Sequence, residues 1–547
     1  MLQGKQPAQH MRFFFSYLLI SLCSLTYGQL PDSLTKKIDA VFADYDKTST
    51  PGCALAILKD GKIIYQSAYG MANLEYNIGI SPASIFHTAS LSKQFTAAAL
   101  LQLSLDGKLS LTDDIRKYIP EVPDFGRTIT FNHLIHHSSG IRDQWDLQWL
   151  AGWRDDDLIT ENDILTMLSR QKALNFVPGE EYAYCNTGYT LAAIAVKRIT
   201  GLSLRAYADS VFFKPLGMSH THFHSDHSEV VPNRTSAYRR DGKGNWKISL
   251  PVFDTYGPTS LFTTVEDLAK WDENFYSKKI GGDALIDLMR HTAELTDGTP
   301  QTYAAGLAMG TYKGYRTEGH GGADAGYRCN MIRFPDQHFS VILLANLANI
   351  SVRSLTDKVV DIFLPDRLAP PPVFKADSLV VGACVGDYFD SHTHSILKVS
   401  AQEGNLRLGS TDLLATTNAE FRVQSYGFSF SGDSIHTKLQ VSLPGSKVQA
   451  YEKVKRIIPS AEELQAYRGT FFSAELNTTY SVSIKEGYLV LQMPKNEAIE
   501  LVPFIKDVFA DGIAVRFTRN KKKRITGFYL TTDPVRNLYF EKTGAKG

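Results

Sequence analysis

Ser90-Leu91-Ser92-Lys93-Gln94-Phe95-Thr96-Ala97-Ala98-Ala99-Leu100-Leu101-Gln102-Leu103-Ser104-Leu105 is the stretch on which the reading of this chain turns. Its Ala, Leu and Gln content predicts a helix over 90–105. Ser90 falls in the first turn, and Lys93, one turn on, shares its face. Backbone N–H groups and the positive end of the helix dipole surround such a serine and favour a developing oxyanion. A lysine buried there can have its pKa lowered far enough to serve as a base. Spacing alone decides nothing, because Ser-x-x-Lys also occurs at Ser33/Lys36, Ser169/Lys172 and Ser395/Lys398. Ser395 lies in an alternating strand, where residues three apart face opposite ways. Ser33 sits beside the end of an N-terminal apolar segment, and Ser169 closes a solvated helix with no accompanying motif.

Outward from this helix, Ala54 to Leu58 and Ile63 to Ala68 flank Asp60-Gly61, a strong hairpin signal. Far downstream, Cys329 to Phe334 and Phe339 to Ala345 flank Pro335-Asp336-Gln337-His338 as a second hairpin. Early and late strands enclosing a helical middle predict an α/β (α+β) domain over 30–368 whose sheet joins both ends of the sequence. Ala369-Pro370-Pro371-Pro372 opens a stiff linker, 369–375. Beyond it short alternating runs predict all-β structure, and the pattern repeats. Val385-Gly386-Asp387-Tyr388-Phe389 with Gly404-Asn405-Leu406-Arg407-Leu408 returns as Tyr467-Arg468-Gly469-Thr470-Phe471 with Gly487-Tyr488-Leu489-Val490-Leu491. Two β-units, 376–457 and 458–547, follow from this; they are two small barrels or the halves of one.

With 547 residues the chain is too long for one core. Its 58 basic and 57 acidic residues leave a net charge of +1, which provides no footprint for nucleic acid or an anionic membrane and favours a small-molecule or short-peptide substrate. Met11-Arg12, the apolar run Phe13 to Leu25 and Thr26-Tyr27-Gly28 predict a cleaved signal peptide over 1–28. The run is too short to span a bilayer comfortably, so a periplasmic or secreted product without a stable membrane anchor is expected. Cys53, Cys185, Cys329 and Cys384 are scattered, with no CxxC pair, and read as buried thiols.

Two further motifs accompany Ser90 and Lys93. Tyr184-Cys185-Asn186 offers a phenol able to pass a proton and an amide able both to donate and to accept. Glu318-Gly319-His320-Gly321-Gly322-Ala323 offers glycines that let a substrate approach a strand edge. Ser-x-x-Lys, Tyr-x-Asn and His-x-Gly in that order resemble the serine β-lactamase and penicillin-binding-protein superfamily, in its class C-like branch. Thr130-Phe131-Asn132-His133-Leu134-Ile135-His136-His137-Ser138-Ser139-Gly140-Ile141 is similar to that family's "LLxHTSG" segment. Gly257-Pro258-Thr259-Ser260-Leu261 with Glu266-Asp267-Leu268-Ala269 is similar to its "GGLxSTxxDLA" segment. The resemblance covers roughly residues 35–350 and implies a β-lactamase/transpeptidase-like catalytic domain, with an antiparallel sheet and a helical subdomain.

The resemblance further implies Ser90 as nucleophile, Lys93 as general base and Tyr184 as proton shuttle to the leaving group. Asn186 then contacts the substrate amide, His320 and Gly322 line the strand edge, and the N–H groups of Ser90 and Ala323 form the oxyanion hole. His320 stands where β-lactamases carry the Lys of Lys-Thr-Gly. A mostly neutral histidine loses the fixed charge that meets a β-lactam carboxylate, and His-x-Gly resembles the D-aminopeptidase and esterase members. An exported acyl-enzyme hydrolase of amides or esters is therefore expected. The alternatives are a penicillin-recognising binding protein acylated without turnover, and a true class C-like β-lactamase. In the D-aminopeptidase-like arrangement the β-units reach over the active site. No cofactor or metal is expected. His133, His136 and His137 lack a nearby acidic ligand, and His220, His222, His224 and His227 suggest adventitious metal binding on a loop. Singly, Asn186 also reads as a helix cap and His320 as a residue satisfying a loop.

Overall fold

A computed structural model describes residues 30–368 and 374–544, apart from Gln424, residues 433–437 and Asp533. The signal peptide expected over 1–28 and most of the linker 369–375 lie outside the described residues. Six strands form the central antiparallel sheet: β1 (Cys53–Lys59), β2 (Lys62–Tyr69), β3 (Ala308–Tyr312), β4 (Tyr315–Asp324), β5 (Tyr327–Phe334) and β6 (Phe339–Ala345), in the order β3-β4-β5-β6-β1-β2. The sheet does join the two ends, with Cys53 opposite Ala345 and Lys59 opposite Phe339. Asp60 and Gly61 make the β1–β2 turn with φ of 50° and 72°, the left-handed geometry that selects an Asp-Gly pair.

Both faces of the sheet are covered, so β1 from Cys53 to Leu58 and the whole of β6 are buried without alternation and are mostly apolar. Helices α1 (Asp32–Phe42), α2 (Ser92–Leu105), α3 (Gln144–Leu150), α4 (Asn186–Thr200) and α5 (Val352–Phe363) matter most here. α1 and α5 pack on one face, over Leu55, Ile57, Val341 and Leu343. α2 and α4 lie on the other, with Ala54, Ala56, Ile342 and Leu344. α2 is buried nearly all round, from Ser92 to Leu101, which is why it is rich in alanine and carries no polar stripe. The helix predicted over 90–105 begins instead at Ser92, and Ser90 lies in the 3-10 turn Ala89–Leu91 ahead of it. Ala89 has a φ of 45°, which tightens the entry into that turn.

The β-units form two nine-stranded sheets of identical topology, spanning 386–454 and 469–543. In each, the first strand pairs with the last (Asp387 opposite Val454, Thr470 opposite Thr543), rolling the meander into a barrel. The repeated sequences occupy equivalent places, the first strand and the third. Gly386 and Gly469 each face a lysine of the last strand, Lys453 and Lys542, where a Cβ would collide with its stem. The first barrel encloses Tyr388, Phe428 and Phe430, the second Phe471, Phe528 and Phe540.

Candidate active site

Ser90 is presented by a strained turn. Ala89, immediately before it, is left-handed, a conformation that costs a non-glycine residue of order 1–3 kcal/mol and persists only where surrounding structure imposes it. Ser92 helps hold the turn, its hydroxyl donating to Ala89 O at 2.6 Å. One turn on, the fully buried Lys93 ammonium donates to Ser90 Oγ at 3.0 Å, Asn186 Oδ1 at 2.9 Å and Pro258 O at 2.8 Å. None of the three acceptors is a carboxylate. Burial brings Lys93 down to about 7, and the more distant charges of Asp143 and Asp324 only partly oppose the fall.

Tyr184 and Asn186 arrive together at the start of α4. Asn186 is the first residue of that helix and does not cap it; the N-cap position is Cys185, whose side chain makes no capping bond. The Asn186 amide instead bridges Lys93 to Asp143, donating from Nδ2 to Asp143 Oδ2 at 2.9 Å. Asp143 also caps α3, accepting from Trp145 N at 2.9 Å, and burial raises its carboxyl above the ordinary range. The Tyr184 ring lies 4.9 Å from Lys93 Nζ and packs on His137 at 4.3 Å. Burial pushes the phenol well up, against the opposing effect of a hydrogen bond with Ser90, so it stays protonated at neutral pH. His137 is itself fixed by Cys185, whose N–H donates to Nδ1 at 3.0 Å.

β4 forms the opposite wall. His320 pairs its Nε2 with the Tyr303 hydroxyl at 2.9 Å, and burial with the nearby Lys93 charge lowers it to about 4, so the ring is neutral at pH 7. Gly322 lies against the nucleophile turn: a Cβ there would stand 2.6 Å from Thr88 O and 3.0 Å from the Ala89 Cβ. The glycine is thus required by the protein's own packing, a reason the edge-approach argument did not contain. Ala323 follows, and then Asp324, whose carboxylate accepts from Thr259 Oγ1 at 2.6 Å and is raised to about 6 by burial.

All seven residues singled out in the sequence, Ser90, Lys93, Tyr184, Asn186, His320, Gly322 and Ala323, come to this place; every one except the buried Lys93 lines a single cavity of about 890 Å³. Sequence reasoning missed Asp143 and Asp324. Asp143 had a signal, an N-cap aspartate ahead of Gln144-Trp145; Asp324 had none beyond its place after Ala323. Among the described residues, no residue of the β-units lines the cavity, contrary to the expectation that they reach over it. The second barrel abuts α3 from outside, Asn496 Nδ2 donating to Trp149 O at 3.1 Å. Of the histidines, His136 bonds to the carbonyls of Asn132 and His291. His222, His224 and Glu229 bring ligand atoms within 4.8 Å of one another. Both carboxylate oxygens of Glu229 already accept from Arg205. Cys53, Cys185, Cys329 and Cys384 are buried thiols. No helix among the described residues is long and apolar enough to cross a membrane.

A serine and a buried lysine on one helix entry, between a tyrosine–asparagine element and a glycine-lined strand, define a serine hydrolase of β-lactamase/transpeptidase-like fold. The chain belongs to the Beta-lactamase family, whose profile matches residues 38–361. A D-aminopeptidase of Gluconobacter oxydans (strain 621H) is 24% identical over 384 residues, 69% of this chain and 71% of that protein. A D-aminopeptidase of Brucella anthropi is 27% identical over 301 residues, 54% of this chain and 56% of that one. Among solved structures, an octameric penicillin-binding protein homologue from Pyrococcus abyssi shares the fold. It has a TM-score of 0.53 and 20% identity, covering 86% of this chain and 99% of that chain.

Proposed function

We propose that this protein is an exported hydrolase that cleaves an amide or ester through an acyl-enzyme on Ser90. The observation that carries the reading is Lys93: fully buried, 3.0 Å from Ser90 Oγ, with the neutral acceptors Asn186 Oδ1 and Pro258 O as its other partners. In its neutral form this amine takes the Ser90 proton as Oγ attacks the substrate carbonyl. Tyr184, held protonated by burial, is unsuited to that first role and suited to the next, passing a proton to the departing amine or alcohol. The N–H groups of Ser90 and Ala323 receive the oxyanion, each donor contributing on the order of 3 kcal/mol. Lys93 hands the proton it took to Tyr184, restoring the phenol and the neutral amine. Water then attacks the acyl carbonyl with Lys93 again as base, and that proton goes to Ser90 Oγ as the acyl group leaves.

The D-aminopeptidase names of the two relatives favour a substrate with a D-amino acid on its acyl side, with D,D-carboxypeptidase and carboxylesterase activity as the nearest competitors. The neutral His320 supports a peptidase or esterase over a β-lactamase, because it offers no fixed cation to a β-lactam carboxylate. Parallel assays on D-Ala-p-nitroanilide, a D-Ala-D-Ala peptide, p-nitrophenyl acetate and a penicillin rank the chemistries. A fluorophosphonate probe should label the wild type on Ser90 and leave Ser90→Ala unlabelled; equal labelling of both overturns the reading. Export predicts a mature N-terminus at Gln29, checked by sequencing the protein recovered outside the cytoplasm.

A further inference from the structure

The cavity at Ser90 is far from uniform. Three of the chain's five tryptophans, Trp145, Trp149 and Trp153, line it, with Phe253 and Ile159 beside them. The Trp145 ring stacks on Phe253 with centroids 4.9 Å apart and 20° between planes, and Ile159 is buried, at 6% exposed. Trp149 is left 39% exposed, an uncommon expense for so large an apolar ring unless something covers it. Trp145 and Trp149 stand on α3, and Asp143 at the head of α3 is the residue that holds Asn186. The aromatic surface therefore shares one cavity with Ser90 and with Asn186, the group proposed to contact the substrate amide.

We propose that the wall of Trp145, Trp149, Trp153, Phe253 and Ile159 is the acyl-side subsite of the Ser90 centre, and that it takes an aromatic or similarly large, flat apolar group. The substrate is then an amide or ester of a bulky apolar acyl group, such as an aromatic amino acid, and not of a small one such as alanyl or acetyl. Flat rings pair with aromatic walls by stacking as well as by burial, and a pocket of this kind discriminates by on the order of tenfold or more per group filled. The proposal rests on the reading of Ser90 as nucleophile.

The test holds the leaving group constant and varies the acyl group. kcat/KM is measured for p-nitrophenyl acetate against phenylacetate, and for the p-nitroanilides of D-Ala against D-Phe, in the wild type and in Trp149→Ala. The larger acyl group should be preferred by about tenfold or more, and the preference should shrink by about that factor in Trp149→Ala. A wild type that favours the small acyl group, or a ratio unmoved by Trp149→Ala, overturns the proposal. Calorimetric titration of phenylacetate and acetate into Ser90→Ala supplies an arm free of chemistry. Saturable binding of phenylacetate alone, weakened in Ser90→Ala/Trp149→Ala, supports the subsite; equal or absent binding of both ligands removes it. If the wild type hydrolyses nothing while phenylacetate still binds in this way, the Ser90 reading fails, and with it the acyl-side role, leaving only an aromatic binding wall.

Discussion

Lys93 is the residue whose surroundings matter most, because they set the pH at which the centre can work. The active form of the base is the neutral amine. With burial bringing it from 10.5 to about 7, kcat/KM should climb with pH through about 7 and level off above. A lysine at its ordinary value would still be gaining at pH 9, so a pH–rate profile separates the two. Asp143 opposes the lowering through its negative charge. Asp143→Asn removes that charge and leaves an amide oxygen to cap α3, so the acid limb should move to lower pH by about one unit; a limb that stays or rises refutes the coupling. Ser90, Lys93, Tyr184, Asn186 and His320 were legible in the sequence because each sits in a short motif of fixed spacing. Asp143 could be read only as a helix cap and Asp324 not at all, because what they do at the site depends on partners brought from elsewhere: Asn186 for the first and Thr259 for the second.

The elements of the catalytic domain were legible where a turn or a run announces them. Asp60-Gly61 marked the first hairpin and Pro335–His338 the second, and both stand where the sequence placed them. The start of α2 was displaced by two residues, since the 3-10 turn depends on the left-handed Ala89, which no local propensity predicts. β4 packs on that same turn, and the contact is made at Gly322. Gly322→Ala should push the strand off Thr88 and Ala89, at about 1–3 kcal/mol for the overpacking. Because β4 carries Ala323 and the turn carries Ser90, a shift near 1 Å should also lower kcat/KM by on the order of a hundredfold. Gly321→Ala is the control: a Cβ there finds only ordinary contacts, 3.5 Å from Cys329 O and 3.7 Å from Asn330 Oδ1. Its thermal midpoint should stay near the wild type's while that of Gly322→Ala falls. Equal midpoints for the two variants contradict the packing argument.

For the whole molecule, the repeat in the C-terminal third was legible and its relation to the catalytic domain was not. A buried contact that joins them lies between residues 333 positions apart, with no pattern to announce it. Arg142, entirely buried, pairs with Glu475 of the second barrel and donates to Arg536 O at 2.9 Å, while Arg536 reaches back to Glu181 at 2.8 Å. Tyr480 of the same barrel donates to Leu150 O at the end of α3. Arg142 is the chain neighbour of Asp143, so the barrel braces the segment from which Asn186 and Lys93 are held. Breaking a buried pair from one side strands a charge, at a cost of about 3–5 kcal/mol, whereas replacing both partners by apolar residues is often neutral. Glu475→Gln should therefore lower the thermal midpoint and also kcat/KM, although Glu475 does not line the cavity. Arg142→Met/Glu475→Leu should recover most of the stability, since no charge is left buried. Thermal unfolding and kinetics on the two variants decide it. If Glu475→Gln unfolds and turns over like the wild type, the barrel is an appended module and not part of the support of the site.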